Sequence, residues 1–286
     1  MIAAVGSFLE ARCHSGEWLL RIEDLDPPRE KPGAADQILR TLEALGLHWD
    51  GPVLRQSTRS TAYLDALAHL EHLRLTRRCS CSRSALKALP QNRDLVAGED
   101  LFHPARCLTA PDRAAGSAIR FRAPDRDISF EDGSLGRYSC NVGLSSGDFV
   151  LRRRDGLFAY QLAVTTDDAE QGISDVVRGA DLLASTPRQI LLQEALQLPR
   201  VNYMHLPLAV TSDGYKLSKS EDAPAAEQAE PAAQIYLVLQ FLNQDPPEAL
   251  KHADLEEIWS WAAANWRADR FAGVSRKTLD TTAAGT

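Results

Sequence analysis

LLRIEDLD, residues 19–26, joins a short apolar run to three carboxylates. Leu19, Leu20 and Ile22 suit a buried strand, and Glu23, Asp24 and Asp26 follow as an acidic loop. Carboxylates at the C-terminal edge of a strand sit where open α/β sheets bind ligands, and one of them there could hold an ammonium group. The alternative is that Asp24 and Asp26 cap the next turn.

On either side of this stretch the periodicity is helical. In MIAAVGSFLEARCHSG, residues 1–16, Ile2, Val5, Phe8 and Leu9 share one face and Gly16 is a stop signal, but no Ser, Thr, Asp or Asn cap precedes them. After Pro27, Pro28 and Pro32, a second helix carries Ala35, Ile38, Leu39, Leu42 and Leu45 and closes at Gly46. A third spans residues 60–75, with Tyr63, Leu64, Leu67, Leu70 and Leu73 on its apolar side. Strand–helix alternation of this kind predicts α/β architecture.

Between residues 76 and 150 the character changes to a mostly β insertion with a loop-rich start, with strand candidates in AIRFRA and FVLRRR. Asp155-Gly156 predicts a hairpin turn in LRRRDGLFAY. Residues 151–225 return to α/β character, and residues 226–286 form a helical C-terminal region whose tail after about residue 275 is expected to be disordered.

Composition narrows the function classes. The chain has 286 residues, 44% hydrophobic and 25% charged, ample for a globular core. No apolar run approaches the roughly 18 residues of a membrane span, and no basic segment precedes an apolar one as in a secretory signal, so a cytoplasmic protein is expected. A net charge of −7 argues against a general nucleic-acid coat but leaves room for local basic patches. Two such patches are Arg152, Arg153 and Arg154, and Arg74, Arg77 and Arg78; a solvated surface is the ordinary alternative for each. The odd count of five cysteines disfavours a disulfide scaffold.

Four constellations carry chemistry. SDGYKLSKS, residues 212–220, puts Lys216 and Lys219 around Ser218 on a tight loop, where two ammonium groups can neutralise a triphosphate. A solvated basic turn is the alternative. Arg178 stands in apolar VVRGAD, where a guanidinium at a strand end can grip a carboxylate, or can simply pair with Asp181. Tyr160 adds a hydroxyl from a neighbouring element. Cys79, Cys81, His103 and Cys107 offer three thiolates and an imidazole, a donor set suited to zinc, although C-x-C spacing is tighter than the usual C-x₂-C. Cys13 and Cys140 match no pattern. His14, His48, His72, His205 and His252 have no identifiable partner, and none is given a catalytic role.

R-I-E-D-x-D, then Y-Q-L-A-V-x-x-D-D, then V-V-R-G-A-D-L-L-x-S-T-P-R-Q, then K-L-S-K-S resemble, in this order, the glutamyl-tRNA synthetase core of the class I aminoacyl-tRNA synthetases, over roughly residues 1–225. K-L-S-K-S is similar to that class's KMSKS loop. Within the family the short glutamyl-Q tRNA(Asp) synthetases are the nearer resemblance, because only about 65 residues follow Ser220. The resemblance implies a ligase that activates L-glutamate with ATP and Mg²⁺. It would then transfer the glutamyl group to queuosine in the anticodon of tRNA(Asp). It implies that Glu23, Tyr160 and Arg178 bind glutamate, that Lys216, Ser218 and Lys219 bind ATP with Lys219 catalytic, and that Cys79, Cys81, His103 and Cys107 hold one structural Zn²⁺. The implied architecture is a Rossmann-type parallel sheet. Its first half is residues 1–75, its zinc-containing insertion 76–150, its second half 151–225 and its short helical region 226–286. A monomer is expected.

The family's HIGH-type signature, and the strand before it, are not found; MIAAVGSFLEAR resembles the helix that follows them. The sheet is therefore expected to be N-terminally truncated by about 20 residues. Loss of a phosphate-gripping helix start should lower activity steeply. The leading reading is an enzyme whose start lies upstream of Met1, since Glu23, Tyr160, Arg178 and K-L-S-K-S are intact. The alternatives are a non-catalytic, zinc-containing tRNA-binding relic, or a shortened glutamyl-tRNA synthetase charging a tRNA 3′ end.

Overall fold

The computed structural model describes residues 1–27, 30–92, 101–107, 116–214, 216–217 and 230–278. Helix α1 (Ile2–Cys13) buries Val5 and Leu9 and lacks a side-chain cap. It stops one residue earlier than the glycine signal suggests: Ser15 takes the left-handed conformation (φ 55°), and Gly16 N–H closes on Ala11 O at 2.8 Å. Strand β1 (Arg21–Ile22) is shorter and less buried than its apolar run predicts. It pairs in parallel with β2 (Leu54–Arg55), and further backbone bonds, Leu54 N–H to Leu20 O and Asp50 N–H to Trp18 O, prolong the pairing. Between them runs α2 (Ala34–Ala44), closed at Gly46 (φ +71°) as its pattern predicts. Helix α3 (Ser60–His72) follows.

The insertion opens with β3 (Thr76–Cys79) and the short α4 (Arg83–Lys87). Then come β4 (Ala118–Phe121), the β5–β6 hairpin (Asp127–Asp132 and Gly136–Asn141), α5 (Val142–Ser145) and β7 (Phe149–Arg152). Strands β3, β4 and β7 form one antiparallel sheet. The Asp155-Gly156 turn folds back as expected: Arg153 N–H reaches Leu157 O, and Gly156 has φ +90°.

The chain continues through α6 (Tyr160–Glu170), β8 (Asp175–Gly179), α7 (Thr186–Leu196) and β9 (Asn202–Leu206). Strands β8 and β9 are parallel with α7 as their crossover, the βαβ unit expected of a Rossmann-type fold. The β5–β6 hairpin joins the far side of β9, giving the order β6-β5-β9-β8. Helix α1 packs on β8 and β9. Gly6 permits this contact, because a Cβ there would meet Leu206 at 2.5 Å.

Strand β10 (Leu208–Val210), α8 (Pro231–Phe241), α9 (Leu255–Asn265) and β11 (Arg276–Thr278) complete the described chain. The expectation of a disordered tail from residue 275 is corrected here: residues 276–278 form a strand parallel to β10, because Leu208 to Val210 present a free ladder edge. Residues 279–286 lie outside the described residues. One apolar core unites Val5, Leu9, Leu42, Leu206, Leu239 and Ile258, so the C-terminal helices cover α1 and α2. A second joins Tyr63, Phe121, Phe130, Leu162, Ile190 and Tyr203. Among the described residues, no helix is long and apolar enough to cross a membrane.

Candidate active site and metal centre

Arg178 sits at the C-terminal end of β8, only 8% exposed. Its guanidinium is an N–H donor on every nitrogen, and four of its five N–H groups are engaged. Nε donates to His205 Nε2 (3.1 Å), Nη1 to Tyr160 Oη (3.2 Å), and Nη2 to Thr186 Oγ1 (2.8 Å) and Leu182 O (3.4 Å). The Tyr203 ring lies under the guanidinium, 5.3 Å away. The expected alternative, an Arg178–Asp181 pair, is not formed: Asp181 binds Lys216 Nζ instead, at 2.5 Å.

Tyr160 reaches Arg178 because it is the first residue of α6, set by the Ala159 N–H bond to Leu151 O. Burial raises its phenol pKa, and Arg178 opposes that rise. Glu23 approaches from the loop after β1. Crowding by surrounding protein raises its carboxyl above the usual range, the Asp168 charge adds to this, and Arg21 and Arg178 act against it. The structure thus brings Tyr160 into contact with Arg178 and places Glu23 within electrostatic reach of both.

Sequence reasoning missed four neighbours. Arg21 binds Asp168 Oδ1 (2.8 Å) and Gln171 Oε1 (2.8 Å) and lies beside Glu23 (3.5 Å). Burial raises the Asp168 carboxyl, with Arg21 opposing. Both residues stand inside quoted motifs, so the signal was present. His205, expected to lack a partner, bridges Arg178 to Asp132 instead. Asp24 accepts the Ser57 N–H and Oγ–H at 2.8 and 2.7 Å, and Asp26 pairs with Arg153.

Of the phosphate-loop candidates, Lys216 bridges back to Val210, and the Asp213-Gly214 turn closes on Thr211 O at 2.9 Å. Ser218 and Lys219 lie outside the described residues.

The Cys/His constellation comes together in space. The ligand atoms of Cys79, Cys81, His103 and Cys107 all lie within 4.8 Å of one another. Cys79 Sγ and His103 Nε2 are 3.1 Å apart. Burial and the Arg120 charge lower His103 to about 4, which keeps the imidazole neutral, the form that ligates metal. Burial and the neighbouring Cys79 thiol push Cys107 up to about 11, and a bound cation would reverse that. Three sulfurs and one nitrogen at this separation fit a tetrahedral zinc. Arg154 Nη2 donates to the backbone carbonyl of Ser80, between the two cysteines of the pair.

Residues 2–243 match the model of the class I tRNA synthetases (E and Q), catalytic domain. The chain belongs to this family. It is 49% identical over 273 residues to a glutamyl-Q tRNA(Asp) synthetase of Ectopseudomonas mendocina, covering 95% of this chain and 89% of that one. A glutamyl-Q tRNA(Asp) synthetase of Dechloromonas aromatica is 48% identical over 280 residues, covering 98% and 91%. Among solved structures, a glutamate-tRNA synthetase from Elizabethkingia anophelis superposes with a TM-score of 0.79 at 24% identity, a likeness of fold. It covers 99% of this synthetase-family chain, which spans 65% of that protein's length.

Proposed function

We propose that this chain activates L-glutamate with ATP and transfers the glutamyl group to queuosine in the anticodon of tRNA(Asp). The observation that carries the reading is the convergence of Arg178, Tyr160 and Glu23 beside the base of the K-L-S-K-S segment. High identity to glutamyl-Q tRNA(Asp) synthetases over nearly the whole chain supports the acceptor.

Arg178 holds a carboxylate that keeps its charge throughout, which is the side-chain carboxylate of glutamate; the α-carboxylate loses its charge on activation. Glu23 takes the ammonium group, and Tyr160 orients the ligand. An α-carboxylate oxygen attacks the α-phosphorus of Mg²⁺-bound ATP, and the bond to pyrophosphate breaks. Lys216, Ser218 and Lys219 bind ATP, and Lys219 neutralises charge building on the pyrophosphate. A hydroxyl of the queuosine diol then attacks the acyl carbon, AMP leaves, and the hydroxyl proton passes to water. Cys79, Cys81, His103 and Cys107 hold one zinc ion, which pins the start of the insertion. The protein acts as a cytoplasmic monomer.

The test supplies L-glutamate, ATP and queuosine-containing tRNA(Asp), followed by mass analysis of the released nucleosides. A glutamylated queuosine is expected. Transfer to the 3′ end of a tRNA would identify a glutamyl-tRNA synthetase activity instead, and the absence of both products would overturn the reading.

A further inference from the structure

Asp132, His205 and Arg178 stand on three neighbouring strands, β5, β9 and β8, with Arg178 and His205 in direct register. His205 is 0% exposed and Asp132 5%. Arg178 Nε can only donate, so at 3.1 Å His205 Nε2 must accept. The imidazole proton is therefore on Nδ1, which donates to Asp132 Oδ2 at 2.5 Å. Asp132 is itself fixed, because its Oδ1 accepts the backbone N–H groups of Ser134 (3.1 Å), Leu135 (2.9 Å) and His205 (3.2 Å). An imidazole with its proton on Nε2 would face a guanidinium N–H donor to donor.

We infer that Asp132 and His205 are positioning residues for the amino-acid site: Asp132 fixes the His205 tautomer, and the resulting Nε2 lone pair aims the Arg178 guanidinium at Tyr160 and the proposed ligand position beside it. The turn end of the β5–β6 hairpin thereby sets ligand affinity without touching the ligand. The ligand part of this inference rests on the proposed glutamate reading; the tautomer part does not.

The near-isosteric variant Asp132→Asn is the informative one. Its carbonyl keeps the three backbone N–H bonds, so its amide nitrogen takes the Oδ2 place and presents an N–H to His205 Nδ1. The imidazole proton is then forced onto Nε2, against Arg178. Nitrogen-resolved imidazole NMR on the full chain reads the tautomer directly, with His205→Gln assigning the signal, and calorimetry reads L-glutamate affinity. The wild type should carry the His205 proton on Nδ1. Asp132→Asn should move it to Nε2 and weaken glutamate binding about tenfold or more, the effect of losing a hydrogen bond to a charged group. In the double variant Asp132→Asn/His205→Gln, the glutamine carbonyl again offers Arg178 an acceptor, and at least part of the lost affinity should return. A purely packing role would leave the tautomer and affinity of Asp132→Asn unchanged. The inference is overturned by a wild-type proton on Nε2, or by a moved proton with undiminished affinity. A wild type with the Nδ1 proton that binds no glutamate would overturn the glutamate reading and leave the tautomer relay standing.

Discussion

Lys216 Nζ lies 2.5 Å from Asp181 Oδ2, which ties the first lysine of K-L-S-K-S to the turn that follows Arg178. The pair is open to water, with 62% and 36% of the two side chains exposed. Exposed ion pairs contribute about 0–1 kcal/mol. Asp181→Asn should therefore leave the melting temperature unchanged and alter KM for ATP by no more than about fivefold, with glutamate affinity untouched. ATP–pyrophosphate exchange at varied salt checks this, since high salt should erase the difference.

Arg178→Lys keeps the charge and loses the fork. One ammonium group cannot reach His205, Tyr160 and Thr186 together and still present the remaining Nη1 N–H to a carboxylate. Losing one charge-assisted hydrogen bond predicts a fall in glutamate affinity of roughly 10- to 100-fold. Calorimetric titration measures it, and wild-type affinity in the variant would remove Arg178 from the ligand site.

Glu23 couples binding to pH. Its carboxyl pKa is raised in the folded protein by crowding and by Asp168. A raised carboxyl binds its proton more tightly when folded, so stability falls as pH rises from the unfolded value of about 4.3 through the folded one. Above both values the full cost is present, and Glu23→Gln should be neutral to stabilising at pH 7. The ligand ammonium needs the ionised form, so wild-type glutamate affinity should climb through the same window and then level off, a climb that Glu23→Gln flattens. Thermal melts beside titrations from pH 4 to 8 give both readings; a destabilised Glu23→Gln with full affinity would contradict them.

Helices α1, α2 and α3 were legible because each writes its buried face at a 3.6-residue period, and the Asp155-Gly156 hairpin because its turn chemistry is local. Tyr160, Arg178 and Lys216 were legible because each stands in a distinctive motif. Strand β5 alternates buried Ile128, Phe130 and Asp132 with exposed Asp127, Ser129 and Glu131. That alternation was readable, but its last buried member is a carboxylate, which reads as surface. Its partner His205 is 73 positions away on a strand brought alongside by a parallel crossover. No local period records such a meeting. Strand β11 escaped for the same reason, since its three polar residues gain a partner only from β10.

Metal removal should act locally. Cys79, Cys81, Cys107 and Leu86 form a small cluster of their own, apart from the two main cores. One zinc per chain is expected by elemental analysis. Chelation or Cys79→Ser should expose residues 76–107 to proteolysis while β8, β9 and the Arg178 site keep their hydrogen-exchange protection. A zinc-free protein as resistant as the loaded one would show the cluster to be structural thiols alone.

One member of each arginine patch reaches this cluster, Arg77 through Ala105 O and Arg154 through Ser80 O, and the arginines of this region divide by role. Arg77 forms an ion pair with buried Asp148 at 2.6 Å, Arg152 lies over the Phe158 ring, and Arg153 pairs with Asp26 and Asp155. These are internal ties. Arg78 and Arg106 are exposed, and neither forms an ion pair among the described residues. The Arg78 carbonyl lies 3.8 Å from Cys107 Sγ, the residue next to Arg106 in the chain. A phosphate contact by either should show as electrostatics alone. Arg78→Gln and Arg106→Gln should each weaken tRNA(Asp) binding about three- to tenfold and flatten the salt dependence by roughly 0.7–0.9 in log–log slope. Neither should alter glutamate-dependent ATP–pyrophosphate exchange. Arg77→Gln differs in kind: leaving Asp148 buried without that partner should cost about 3 kcal/mol or more of stability. Equal losses of RNA binding and exchange in Arg78→Gln would show that this arginine supports the fold, and the phosphate track would then lie elsewhere on the molecule.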